Sequence, residues 1–150
     1  MITIKRTNSD NKHFQELVNQ LNEDLFLRDG AEQKFYLQFN KIDLIKHAVV
    51  AYEKDKAVGC GAIKQFQNEA MEVKRMFVPI SLRGKGIAKI ILAELENWTK
   101  ELGFTKCVLE TGKRNPEAIG LYLKSGYKII PNYGQYIGVE NSVCFENLLN

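Results

Sequence analysis

The sequence predicts a mixed α/β fold, on three observations. Apolar residues recur at helical spacing in two long stretches, 14–25 and 87–102. Between them, residues 47–78 read as three β-favouring runs joined by short polar turns, the pattern of an antiparallel meander. From residue 70 onward the signals run strand, helix, strand, helix, strand, with one further strand at the end. A chain of 150 residues that is 45% hydrophobic can bury one core of this kind, so residues 1–150 are read as a single domain.

Met1-Ile2-Thr3-Ile4-Lys5-Arg6 alternates like a short strand. Asn8, Ser9 and Asp10 then offer N-caps to a helix whose apolar face carries Phe14, Leu17, Val18, Leu21 and Leu25, and Asp29-Gly30 ends it. In residues 31–39, Phe35, Leu37 and Phe39 fit a short second helix and an extended segment about equally. Strands at 47–53 and 57–67 flank Glu53-Lys54-Asp55-Lys56, a hairpin signal. The third run, about 70–78, sets Glu72, Lys74, Met76 and Val78 against Val73, Arg75 and Phe77. Ile87, Ile91, Leu95, Trp98 and Leu102 mark the inward stripe of a long helix, with Lys89, Glu96 and Lys100 outward and Gly103 as its stop. Residues 105–110 form a strand. Asn115-Pro116-Glu117 starts another helix, with asparagine as cap, proline at the first turn and a carboxylate on the positive end of the dipole. That helix runs to Ser125-Gly126. A strand at 127–130, a polar, tyrosine-bearing loop at 131–141 and a strand at 142–148 complete the chain.

Composition removes several function classes. A net charge of +3, from 21 basic and 18 acidic residues, is too small to argue for nucleic acid, and no basic stripe is interleaved with aromatics. No apolar run approaches membrane-spanning length, and the N-terminus lacks the apolar core of a signal peptide. Cys60, Cys107 and Cys144 are odd in number, far apart and set among apolar neighbours. They read as buried reduced thiols of a cytoplasmic protein, not as a disulfide frame or a zinc site. His13 and His47 have no clustered partners and read as structural, so no metal is expected.

The most chemically suggestive stretch is Ser81-Leu82-Arg83-Gly84-Lys85-Gly86-Ile87-Ala88, between a strand and the longest helix. Two glycines let backbone approach a ligand, the helix start presents unpaired N–H groups, and Arg83, Lys85 and Lys89 add positive charge. These are the parts of an anion cradle. It is not a Walker loop, because no Lys-Ser or Lys-Thr follows, and Lys89 stands where a dinucleotide fingerprint needs its third glycine.

That loop, the strand before it and Asn115-Pro116-Glu117-Ala118-Ile119-Gly120-Leu121-Tyr122-Leu123-Lys124-Ser125-Gly126-Tyr127 together resemble the GCN5-related N-acetyltransferases. The family loop pattern is Gln or Arg, two residues, Gly, any residue, then Gly or Ala. Ser81 stands in its first position and departs from it, while the remainder matches. The second pattern, Asn, two residues, Ala, three residues, Tyr, three residues, Gly, then Tyr or Phe, is matched throughout. The likeness is sharp over about residues 70–130 and agrees in element order elsewhere.

The resemblance implies a GNAT acyl-CoA N-acyltransferase fold: a twisted, mostly antiparallel sheet whose central strands splay, flanked by helices. It implies acetyl-CoA as cosubstrate and transfer of the acetyl group to a primary amine by direct attack in a ternary complex. Arg83, Gly84, Lys85, Gly86, Ile87 and Ala88 would hold the pyrophosphate, backbone near Met76, Phe77 and Val78 would pair with the pantetheine arm, and Asn115 would lie beside it. Tyr122 occupies the family position of the general acid and Glu72 that of the general base, with Glu110 as a rival base. Lys113 and Arg114 are within sequence reach of a further phosphate. The acceptor, a small molecule, amino acid or peptide amine, would be shaped by residues 25–40 and 131–141, which hold Phe26, Arg28, Asp29, Phe35, Tyr36, Tyr133 and Tyr136. A homodimer is compatible with the sequence, and the alternative activity is a non-catalytic CoA-binding or regulatory module of the same fold.

Overall fold

A computed structural model describes residues 1–29 and 45–150. The expected helix or extended segment at 31–39 lies outside the described residues. In chain order the elements are β1 (Ile2–Thr7), α1 (Lys12–Asp29), β2 (His47–Glu53), β3 (Lys56–Gln67), β4 (Ala70–Phe77), α2 (Ile87–Glu101), β5 (Lys106–Gly112), α3 (Pro116–Lys124), β6 (Lys128–Ile130) and β7 (Ser142–Leu148), with single 3-10 turns at Ile80–Leu82 and Gly134–Tyr136.

The strands form one sheet in the order β1-β2-β3-β4-β5-β7-β6. Every neighbouring pair is antiparallel except β4 and β5, which run parallel. The expected hairpin between β2 and β3 closes with Glu53 opposite Lys56, and Lys54 and Asp55 take φ of 50° and 66°. Positive φ at both central residues is what lets a two-residue turn follow the right-handed twist of its strands.

Two layers of side chains cover the sheet. On one face α2 and α3 pack over Val49, Val58, Met71, Val73, Val78, Leu109 and Phe145. On the other, α1 lays Phe14, Leu17 and Val18 against Ala48, Val50, Cys60, Ala62 and Phe77. The cap of α1 is Asn11, whose Oδ1 accepts from the Phe14 amide at 2.9 Å. This corrects the expected cap at residues 8–10, where Asn8 instead closes a tight turn onto the Asp10 amide. The buried stripe of α2 is Ile87, Ile91, Leu92, Leu95 and Thr99, and Leu102 is 39% exposed beyond its end. Thr99 replaces the expected Leu102 because its hydroxyl returns to the Leu95 carbonyl at 2.8 Å and carries no unpaired polar group inward.

The strand that matters most is β4. Cys60 of β3 opposes Phe77, and Ala62 opposes Lys74, so Arg75 and Met76 together face the single residue Gly61. Arg75 takes φ of 61° there, a β-bulge with a left-handed residue that is usually glycine. The extra residue reverses the alternation: Met71 and Val73 face α2 before the bulge, and Met76 and Val78 after it, while Phe77 turns to α1. The plain alternation expected for 72–78 is therefore wrong beyond Lys74. On its other edge β4 pairs with β5 only at Ala70, Met71 and Glu72. Past Glu72 the two strands diverge, which is the splay expected of the central sheet.

Candidate active site

The gap between β4 and β5 is flanked by two cavities. The larger, about 600 Å³, lies beyond the end of β4 between the tip of α2 and α3, and is lined by Met76, Phe77, Val78, Leu82, Arg83, Gly84, Gly86, Ile87, Ala88 and Lys89 and by much of α3. The smaller, about 120 Å³, lies where the strands part and is lined by Glu72, Lys74, Arg75, Met76, Glu110, Asn115, Tyr122 and Tyr136 among others. Tyr122, Met76, Asn115 and Ala118 line both.

The loop entering α2 leaves its backbone open on the side of the larger cavity. Gly84 and Gly86 have φ of 85° and 82°, and a Cβ at either would meet nothing within 4 Å. Gly86 is the N-cap of α2 and supplies no side chain, so the first amides of that helix are not capped from within. An anion there gains the amides and the positive end of the helix dipole together. Arg83 is drawn back over the strand end: its Nε donates to the Val78 carbonyl at 2.7 Å, and its Nη2 lies 3.8 Å from Asp24 of α1. Asp24 in turn accepts from Arg28 at 3.1 Å, and Arg28 reaches Glu117 and the Arg114 carbonyl at the start of α3. A chain of ions thus ties α1 to both walls of the larger cavity.

Of the loop residues predicted to hold an anion, Lys85 alone stays out of the lining and is exposed. Lys113 and Arg114 are exposed and line neither cavity. Arg28, grouped with the acceptor residues on sequence, lines the larger cavity instead, and Phe26 is 61% exposed and lines neither. The Asp29 side chain, Phe35 and Tyr36 lie outside the described residues.

In the gap, Asn115 caps α3 by accepting from the Ala118 amide at 3.2 Å, which fixes the helix and with it Tyr122 two turns on. The Tyr122 ring is 5% exposed and packs near Tyr127 and Phe145, with centroids 5.7 and 5.8 Å away. Burial, and then the Glu110 carboxylate, push its phenol above the ordinary tyrosine value. Glu72 is 6% exposed at the last residue paired with β5; Tyr133 donates to its Oε2 at 2.6 Å and the Lys74 ammonium stands 3.6 Å from Oε1. Burial pulls that ammonium below its ordinary value, against the opposing effect of Glu72. Glu110 is the second carboxylate of the smaller cavity and accepts from Ser142 at 2.7 Å. The smaller cavity therefore brings two buried phenols, Tyr122 and Tyr136, together with two carboxylates that each accept from a hydroxyl.

Of the residues that sequence reasoning expected to act together, Glu72 and Glu110 line the smaller cavity, Gly84 and Gly86 the larger, and Tyr122 both. That reasoning missed Ser142, which reaches Glu110 only through the pairing of β7 with β5. The three cysteines are buried and free, as expected. Burial lifts the Cys107 and Cys144 thiols to about 11, and that of Cys60 further. Among the described residues no group of histidine, cysteine or carboxylate side chains is arranged to hold a metal ion, and no helix is long and apolar enough to cross a membrane.

A family model described as the acetyltransferase (GNAT) family matches residues 14–127. An IAA acetyltransferase of Azospirillum brasilense is 36% identical over 89 residues, which is 59% of this chain and 58% of that protein. The chain spans little more than half the length of the curated relatives it matches. Among solved structures, a Klebsiella pneumoniae protein assigned as an acyl-CoA N-acyltransferase superposes with a TM-score of 0.84 at 26% identity, covering 100% of this chain and 99% of that one. A PaiA N-acetyltransferase from Thermoplasma acidophilum, crystallised with coenzyme A, has the same fold, with a TM-score of 0.75 at 17% identity and 99% of each chain covered.

Proposed function

This chain belongs to the GNAT acetyltransferase family, and from that premise we propose that it moves the acetyl group of acetyl-CoA to a primary amine of a small molecule, an amino acid or a peptide, by direct attack within a ternary complex. The observation that carries the reading is Tyr122, which lines both cavities across the gap that opens when β4 leaves β5.

Acetyl-CoA supplies an activated acyl group as a thioester. The amides and charge from Arg83 to Ala88 bind its pyrophosphate, with Lys85 as a charge at the rim, and the edge of β4 beyond Glu72, where its register with β5 ends, offers main-chain partners to the pantetheine amides beside Met76, Phe77 and Val78. Asn115 acts through the helix it caps. Glu72 is assigned as the base because it sits where the strands part, with its carboxylate held inside the smaller cavity; it takes the proton that the amine loses on attack. Tyr122 retains its proton at neutral pH and gives it to the departing sulfur. The burial that makes the phenol a reluctant donor also desolvates the thiolate forming beside it, which raises the thiolate's own appetite for a proton. A cysteine acyl-enzyme is disfavoured, since the Cys60 and Cys107 thiols are fully buried and raised. Three buried free thiols also fit a cytoplasmic setting.

The test is a screen of amine acceptors by free-thiol release from acetyl-CoA. Tyr122→Phe is expected to bind acetyl-CoA as the wild type does and to lose about a hundredfold in kcat. Unchanged turnover removes Tyr122 from the reaction. Thermal unfolding with CoA, ATP and NAD checks the ligand class: a ligand at 100 times its Kd stabilises by about 2.7 kcal/mol, and stabilisation by ATP or NAD without CoA overturns the reading.

A further inference from the structure

The loop between β6 and β7 does not stay at its own edge of the sheet. From Ile130 it crosses β7 and β5 to place Tyr133 on two strands beyond them: the hydroxyl donates to Glu72 of β4 at 2.6 Å, and the ring packs on Phe66 of β3 with centroids 4.6 Å apart. We propose that Tyr133 is a positioning residue, which holds the Glu72 carboxylate in the orientation that accepts the proton of the acceptor amine. This rests on the reading of Glu72 as the base.

The strap is fixed well enough to do this. Asn132 Nδ2 closes it by donating to the Tyr136 and Val139 carbonyls, each at 3.1 Å. The 3-10 turn Gly134–Tyr136 follows at once, and the Tyr136 ring meets the edge of Tyr133 at 5.8 Å. Phe66 and Tyr136 therefore clasp the phenol from two sides, and its hydroxyl points at one carboxylate oxygen. A glutamate has three side-chain torsions, and the ammonium of Lys74, 3.6 Å from Oε1 on a long flexible side chain, restrains them less than a phenol held between two rings does. A hydroxyl donating to a carboxylate at this distance is a strong, directional contact that selects one orientation. Burial, and then the Glu72 charge itself, push the Tyr133 phenol upward, so it remains the donor of the pair throughout the neutral range. The other hydroxyl-held carboxylate, Glu110, receives a hydrogen bond from Ser142 at the start of β7, and its charge also reaches Tyr136 of the strap. An effect of Tyr133 that vanishes once Glu72 is replaced separates the two candidate bases as well.

The experiment is a double-mutant cycle on the whole chain with an acceptor found in the thiol-release screen. Tyr133→Phe keeps the ring and its packing and removes only the donor, so the acetyl-CoA KM should stay close to wild type, while the thermal midpoint falls by about a few degrees as the buried carboxylate loses that donor. We expect kcat to fall about tenfold in Tyr133→Phe and about a hundredfold or more in Glu72→Gln. In the Glu72→Gln background, adding Tyr133→Phe should cost no more than about twofold, because the group it positions is gone. A purely structural tyrosine would give the same tenfold loss in both backgrounds, and that overturns the inference. So does a Tyr133→Phe variant with wild-type or higher kcat while Glu72→Gln is inactive, the result expected if the phenol only blocks the carboxylate. Full activity in Glu72→Gln instead overturns the assignment of the base, and leaves Tyr122 and the cofactor loop to be judged separately.

Discussion

Gly59-Cys60-Gly61 and Gly84-Lys85-Gly86 have the same spacing and meet the same helix, one pair beneath the middle of α2 and the other at its tip. The two pairs are glycine for opposite reasons. A Cβ on Gly59 would lie 2.8 Å from Ile91 Cδ1 and 3.1 Å from the Phe77 carbonyl oxygen, and one on Gly61 would lie 2.7 to 2.9 Å from Met76, Ile91 and Leu95. Here the missing side chain lets a helix sit down on a strand. At Gly84 and Gly86 nothing comes within 4 Å, and φ is positive at both. There the missing side chain serves a backbone shape and leaves room for something from outside the protein. A glycine pair in a sequence thus has two meanings, and what decides between them is whether the space in front of it is full.

The sharpest way to break the contrast is to fill both spaces. Gly59→Ala presses on a main-chain oxygen that cannot move aside, and Gly61→Ala presses on three side chains at once; each should cost about 1–3 kcal/mol in denaturant unfolding. Acetyl-CoA binding per folded molecule should change little in these variants. Gly86→Ala is expected to do the reverse. The left-handed backbone costs about 1 kcal/mol of stability, while the acetyl-CoA KM rises about tenfold, equivalent to about 1.4 kcal/mol of lost contact. A Gly86→Ala enzyme with unchanged KM would mean that the open space is not where the ligand lies.

A smaller effect separates packing from charge in seating α2. Arg6 of β1 donates to Glu94 at 2.7 Å and to both oxygens of Glu101 at 2.7 Å, stapling the outer side of the helix to the sheet edge. The hydrogen bond from Arg6 holds the Glu101 carboxylate below its ordinary value in the folded protein. A lowered folded value contributes stability above the unfolded pKa and loses it as pH falls through the folded one. Between neutral pH and about pH 3 the wild type should therefore lose more stability than Arg6→Leu does, and equal losses would show that packing over Gly59 and Gly61 seats the helix alone. The smallest expected effect is at Ser81, which is exposed and lines neither cavity. Ser81→Gln restores the family pattern and should leave acetyl-CoA affinity within about twofold by titration, because the contact expected there comes from main chain.

These contrasts also mark how far the sequence could be read. Signals that act within a few residues were legible: the hairpin at 53–56, the Asn115 cap with Pro116 behind it, and the stop at Gly103. The loop before α2 belongs with them, since the positive φ of Gly84 and Gly86 is a local matter. The place of Tyr122, two turns along the helix that Asn115 caps, was legible in the same way. The parity of β4 was not legible, because the bulge puts an arginine where glycine usually marks such a turn, and nothing in Val73-Lys74-Arg75-Met76 announces it. Nor were the partners of the two carboxylates: Tyr133 is 61 residues from Glu72, and Ser142 is 32 from Glu110. Those pairings exist only because β7 returns between β5 and β6. The tight pair Gly59 and Gly61 passed as ordinary strand residues for the same reason, as the atoms that crowd them come from α2 and β4.

The bulge at Arg75 divides β4 into two halves that answer to different neighbours. A strand with unbroken alternation would couple them, so that moving one residue in or out would turn every later side chain to the other face. With the bulge as a joint, Glu72 and Lys74 serve the smaller cavity, while Met76 to Val78 keep their own orientation toward the larger one. An exchange at 74 can then alter the lining of the smaller cavity without turning the side chains at 77 and 78 that line the larger one.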